Sequence, residues 1–218
     1  MYRMDLEDGK MYKLKIAILI ILAAVMMTAC GNSREETTTI LLHRDGSVQH
    51  TIVEDFNSSD GSISDLTKVI LQKITTFNGS SSEGKVSVTK IEADGKDKVR
   101  VVMKYPDLKA FQKFNNEDAS AKAPSFFGTV EQAYQAGYDL SKVTVYQNGD
   151  TSKALSGDDI LALGSQHILI YDNALNSGAE MQIKVYEKIS YCSNNVTCNE
   201  KTASVKTKSG ELVYLILK

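Results

Sequence analysis

The stretch that most constrains this chain is Met11 to Ser33, MYKLKIAILIILAAVMMTACGNS. Lys13 and Lys15 supply positive charge, Ile16 to Val25 form an unbroken apolar run, and Met27-Thr28-Ala29 brings small residues up to Cys30. A secretory signal needs this order: charge held at the cytoplasmic face, an apolar segment for the translocon, then small residues at the cut. The run is short for a membrane-spanning helix, which takes about 20 residues. Residues 1–29 therefore read as a signal peptide, with Met11 a plausible true start because the acidic leader Met1 to Gly9 suits no signal.

A small residue directly before a cysteine is the mark of lipobox processing, and on this stretch the chain resembles bacterial lipoproteins. The resemblance implies that Cys30 becomes the mature N-terminus and carries a thioether-linked diacylglycerol. That lipid would hold the protein on the extracytoplasmic face of the cell membrane. A plain secretory signal or a short membrane anchor with an incidental cysteine is the alternative. Residues 30–38 then form a short lipidated tether, and 39–218 a single domain. Beyond Cys30 the chain carries 21 basic and 24 acidic residues, near neutrality. Nucleic acid would call for a basic patch, so no nucleic-acid partner is expected.

Of the other two cysteines, Cys192 and Cys198, a pair in an oxidising compartment is read first as a disulfide across the turn-like SNNVT between them. Two free thiols is the alternative. A metal pair ranks third, since no histidine lies nearby.

Downstream, Thr39–His43 and Val48–Val53 flank Asp45-Gly46 and read as a hairpin. Ser62 or Ser64 caps a helix whose Leu66, Val69, Ile70, Ile74 and Phe77 share one face, with Asn78-Gly79 as its stop. Lys85–Glu92 and Lys98–Tyr105 alternate as a second hairpin. Short helices are expected at Asp107–Asn116, at Thr129–Gly137 with Thr129 as cap, and at Asp158–Leu163. The remainder reads as strands at Val143–Gln147, His167–Tyr171, Met181–Tyr191 and Glu211–Leu217. The nearly continuous apolar run of the last marks it as central and covered on both faces. The expected fold is α+β: a mostly antiparallel sheet of about seven to nine strands, with one main helix and two or three short helices on one side.

No catalytic constellation survives its context. Ser87-x-x-Lys90, Ser193-x-Asn195 and Lys208-x-Gly210 resemble the motifs of serine acyl-transferases of the penicillin-binding group. That chemistry needs the serine and lysine adjacent on a helix, whereas three-residue spacing on a strand sends them to opposite faces. With Asp45-Gly46 as a two-residue turn, His43 and His50 fall diagonally on one face, about 7–8 Å apart, too far for one metal without a third ligand. Asp55 to Leu66 misses the EF-hand pattern, with glycine at the wrong position and leucine where the bidentate glutamate belongs. Accordingly no catalytic residue, metal or cofactor is assigned.

The candidate binding surface is aromatic. Phe126-Phe127 sits on a loop before a helix cap, and Tyr134 and Tyr138 stand at i and i+4 on the next helix or its exit. These four either close the core over the end of the sheet or line a groove. The mature part also resembles, over most of its length, uncharacterised single-domain lipoproteins of low-GC Gram-positive anaerobes. The points of contact are the strand–Asp45-Gly46–strand opening, Glu54-Asp55-Phe56, Val101–Tyr105 leading to Phe114-Asn115, Phe127–Val130 before a helix, and the closing apolar strand. That resemblance implies a fold and an address and no activity. The expectation is a non-enzymatic binding or interaction module of unknown partner, protein or small ligand, or else a small-ligand or envelope-fragment binder, of which an accessory to a transporter is one form. An envelope enzyme whose catalytic groups the sequence hides comes third.

Overall fold

The computed structural model describes residues 35–218 apart from 58, 83, 116–124, 148–149, 174–178 and 209. The signal peptide, the lipobox with Cys30, and the first residues of the tether lie outside the described residues. No helix among the described residues is long and apolar enough to cross a membrane.

The chain builds two sheets, which corrects the expected α+β fold with helices on one side of a single sheet. Among the described residues there are 13 strands and four helices, 42% strand against 24% helix, in a sandwich-like arrangement. The larger sheet contains β1 (Thr39–Leu42), β2 (Val48–Asp55), β3 (Ser87–Ala93), β4 (Lys98–Tyr105), β9 (Met181–Val185), β11 (Val196–Asn199) and β12 (Thr202–Val205), in the order β11-β12-β9-β1-β2-β4-β3. The smaller contains β5 (Phe126–Thr129), β6 (Thr144–Gln147), β7 (Asp150–Ser156), β8 (His167–Tyr171), β10 (Ile189–Ser193) and β13 (Val213–Leu217), in the order β5-β8-β13-β10-β6-β7. Every pairing is antiparallel except β1 with β9.

Register decides which residues share a face. In the larger sheet Ile183, Ile40, His50 and Met103 stand in one row across four strands, with Val185, Leu42, Val48 and Tyr105 in the next. This inner face is covered over its β2–β4–β3 half by helices α1 (Ile63–Ser80) and α2 (Leu108–Asn115), through Leu66, Ile74, Phe77, Leu108, Phe111 and Phe114. The inner face of the smaller sheet, with Leu169, Tyr171, Leu215 and Leu217, joins the same core. Alternate residues of that sheet, Ile168, Ile170, Ile216 and Val145, point the other way into a second core. Two short helices, α3 (Val130–Gln135) and α4 (Asp158–Leu161), and a 3-10 turn at Leu140–Lys142 close that second core through Val130, Ala133, Ile160 and Leu140. β13 is thus central and covered on both faces, as its apolar run requires.

Caps follow the sequence closely. Ser62 caps α1, its hydroxyl accepting from the Asp65 N–H, and Thr129 with Gln132 forms a reciprocal capping box on α3. Glycine at position 79 does not stop α1, which runs on to Ser80 and ends with the Ser81 N–H on the Phe77 carbonyl.

Two local readings change because of one extra residue each. The first hairpin closes with the His43 N–H on the Ser47 carbonyl and Gly46 at φ 83°, a three-residue turn in which Gly46 takes the left-handed position. A one-residue change of register flips side chains across the sheet, so His43 and His50 do not share a face. His50 points into the core, fully buried, and is no surface histidine. In β3 a bulge between Val88 and Lys90 shifts the register, so Ser87 and Lys90 lie on the same face rather than on opposite ones. Lys90 is nevertheless committed to Glu92 at 2.9 Å, on a strand and without the helical geometry acyl transfer needs.

Candidate functional site

A groove of about 790 Å³ runs along the β5 end of the smaller sheet. The pairing of Phe126 and Tyr214 with Ile170 puts the two aromatic side chains in one row across β5, β8 and β13, on the outer face of that sheet. Tyr138 leans over the row, its ring 5.3 Å from that of Phe126. Phe127, one residue on, turns to the opposite face of β5, where it stacks on His167 at 5.4 Å and meets Tyr186 edge-on. The β1–β2 turn reaches across here, with Gly46 against Phe127 and Arg44 over the Tyr186 ring and paired to Glu187 at 2.8 Å. Asp107, just before α2, and Lys109 and Gln112 in its first turns also line the groove.

Three of the four aromatic candidates therefore come together. Phe126-Phe127 belongs to an edge strand, not a loop, and Tyr134 does not line the groove but points to solvent, 60% exposed. The reason lies in how α3 ends. Gly137 has φ 89°, its N–H bonds to the Tyr134 carbonyl, and the Tyr138 N–H reaches back to the Ala133 carbonyl. This is a Schellman closure, which reverses the chain after the helix. Tyr138 is carried out of the helical register and over Phe126, while Tyr134 stays on the outward side of α3. The i, i+4 spacing holds only while the helix continues.

The groove's polar groups are held in defined states. Burial pushes the Tyr138 hydroxyl up, with Tyr214 adding to the effect, and burial with the Asp139 charge does the same for Tyr214. Both phenols stay protonated and able to donate. The Lys142 ammonium at 2.6 Å, with the Ser141 hydroxyl, holds the Asp139 carboxyl below its ordinary value. Asp107 accepts the Ala110 N–H at 2.6 Å, fixing the start of α2 beside the groove. Aromatic faces beside phenolic donors and carboxylates suit an amphipathic molecule. Lys109, Gln112, Leu212 and Tyr214 carry no sequence signal for a shared site, because only the tertiary fold brings their segments together.

Elsewhere, Cys192 and Cys198 are not joined by a disulfide in this structure, and their thiols lie against one another. Among the described residues no three His, Cys, Asp or Glu side chains gather as a metal would require.

Comparison with protein-family models, with curated proteins and with solved structures finds no match to this chain.

Proposed function

We propose that the chain is a binding module held on the extracytoplasmic face of the cell membrane by a lipid on Cys30, and that the groove over β5 takes a small amphipathic ligand or envelope fragment. The address comes from the Lys13-to-Cys30 stretch; the groove carries the choice of ligand over protein partner. Its volume falls within the usual range for small-molecule pockets, roughly 300–1,000 Å³. Its lining combines four aromatic rings with protonated phenols and carboxylates. A flat, exposed apolar patch would have favoured a protein partner.

Two experiments test the two halves. Cys30→Ser should shift the protein from the membrane fraction to a soluble one; continued membrane attachment would overturn the lipid anchor. For the groove, the full chain carrying Cys30→Ser is screened by thermal shift against sugars, amino acids, peptides and cell-wall fragments. A ligand at about 100 times its Kd stabilises the fold by about 2.7 kcal/mol. That gain should vanish in Tyr138→Ala, whose ring stands over the groove at the end of α3. A ligand whose stabilisation survives Tyr138→Ala binds elsewhere.

A further inference from the structure

The chain crosses from the smaller sheet to the larger between β10 and β11, with only Asn194-Asn195 for the step. Hydrogen bonds fix this crossing. The Tyr214 N–H donates to Ser193 Oγ at 3.1 Å, the Ser193 hydroxyl to Asn195 Oδ1 at 2.6 Å, and Asn195 Nδ2 to the Leu212 carbonyl at 3.1 Å. Cys192 stands just before the step, opposite Leu215 on β13. Cys198 stands just after it, opposite Ala203 on β12. Both side chains turn inward: Cys192 is fully buried in the core the two sheets share, and Cys198 packs half-buried against it. The thiols are in hydrogen-bond contact, and this contact with burial raises the Cys198 thiol far above its ordinary value. Two thiols from different sheets are thus brought against each other across a turn that three hydrogen bonds hold.

We propose that Cys192 and Cys198 are a disulfide site, where oxidation replaces the thiol contact by a covalent bond tying the edge strand β11 to the smaller sheet. Among the described residues β11 pairs with β12 alone, so one short ladder and the packing of Val196 and Cys198 on the core hold this edge strand. The oxidant is the reactive disulfide of an extracytoplasmic thiol–disulfide oxidoreductase. Cys198, the less buried thiol, is held mostly protonated by its Cys192 contact and by burial, so the first step is slow. Its proton leaves to solvent, and the thiolate attacks that disulfide, forming a mixed disulfide and releasing one oxidant thiolate. Cys192 then loses its proton and attacks the Cys198 sulfur, expelling the second. Two protons leave the pair and two electrons pass to the oxidant, which ends as a dithiol. Bridging in the cell rests on the outward address proposed above; the site itself does not.

The test uses the full chain carrying Cys30→Ser, so that only these two thiols remain, incubated reduced with oxidised glutathione at pH 8.5. The expected product is the intramolecular disulfide, two hydrogens lighter, closed to alkylation, and about 5 °C higher in Tm until dithiothreitol is added. Adding Cys192→Ser should leave Cys198 as a glutathione adduct or a free thiol, with no gain in Tm. Two alkylatable thiols, or glutathione on each cysteine of the pair, would overturn the site. Alkylation in intact cells then separates the two proposals. A bridged pair there supports both, whereas free thiols in a chain that bridges in the tube count against the address alone.

Discussion

Replacing Phe111 by alanine should destabilise the protein by about 3–5 kcal/mol, the usual cost of emptying an aromatic position in a core. Phe111 is 1% exposed and meets two rings edge-on, those of His50 at 5.2 Å and Tyr105 at 5.1 Å. With Phe114 it forms the apolar side by which α2 seats on the larger sheet, and Phe114 in turn meets Phe77 of α1. Removing the ring breaks the centre of this aromatic chain and leaves a void beside a histidine. For a chain of this size each kcal/mol moves Tm by about 2–4 °C, so a loss of roughly 10 °C is expected by calorimetry or circular dichroism. Phe111→Leu, which refills most of the void, should recover more than half of it. A loss below about 1 kcal/mol would mean that α2 is held by other contacts. Because α2 supplies Lys109 and Gln112 to the groove and holds Asp107 at its start, Phe111→Ala should weaken ligand stabilisation as well.

The parts of this fold legible in the sequence are those fixed by neighbours along the chain. Asp45-Gly46 announces a turn, Thr129 and Ser62 announce helix starts, and the apolar run to Leu217 announces a doubly covered strand; all of these rest on local backbone chemistry. The second sheet was not legible, for a physical reason visible in Met181 to Tyr191. Those residues read as one strand, with no glycine or proline to interrupt them, yet the chain changes sheets at 186–188 because β9 pairs in parallel with β1 while β10 pairs with β13 and β6. Which sheet a strand joins is decided by partners far away in sequence. The short strands β7, β11 and β12 give no strand signal because their polar residues, Asp150-Thr151-Ser152, Thr197, Asn199, Thr202 and Ser204 among them, look like loop. The groove shows the same division. Phe126, Phe127 and Tyr138 stood out as aromatics around a cap, whereas Tyr214 and the first turns of α2 reach the site only once β13 and α2 have packed. Tyr134 stays outside the groove because one left-handed glycine, Gly137, ends the periodicity that links it to Tyr138 in the sequence.

Stability should peak in mild acid, between about pH 4.5 and 6.5, because two buried groups on β2 titrate with opposite sign. Burial, with a smaller push from Asp55, raises the Glu54 carboxyl to about 8, against the Thr38 hydroxyl and the Lys98 charge. Burial alone lowers His50 to about 4, and neither of its ring nitrogens has a hydrogen-bond partner among the described residues. Between its unfolded value and pH 8, Glu54 keeps in the folded chain a proton that the unfolded chain has lost, so its contribution falls as pH rises through that window. Between pH 6.5 and 4, His50 refuses a proton that the unfolded chain accepts, so its contribution falls as pH drops. From 4.5 to 6.5 the two slopes cancel; from 6.5 to 8 Glu54 acts alone, and stability should fall by about 2 kcal/mol at one proton per pH unit. Denaturant unfolding across this range, with two variants, separates the groups. Glu54→Gln should abolish the fall between pH 6.5 and 8, leaving stability that rises from pH 4 to 6.5 and then stays level. His50→Leu removes two unsatisfied nitrogens from the core, should stabilise by about 1–3 kcal/mol near neutrality, and should leave a steady decline from pH 4.5 to 8. If Glu54→Gln still loses stability above pH 6.5, the carboxyl is ionised in the folded chain and some other group sets the alkaline limb.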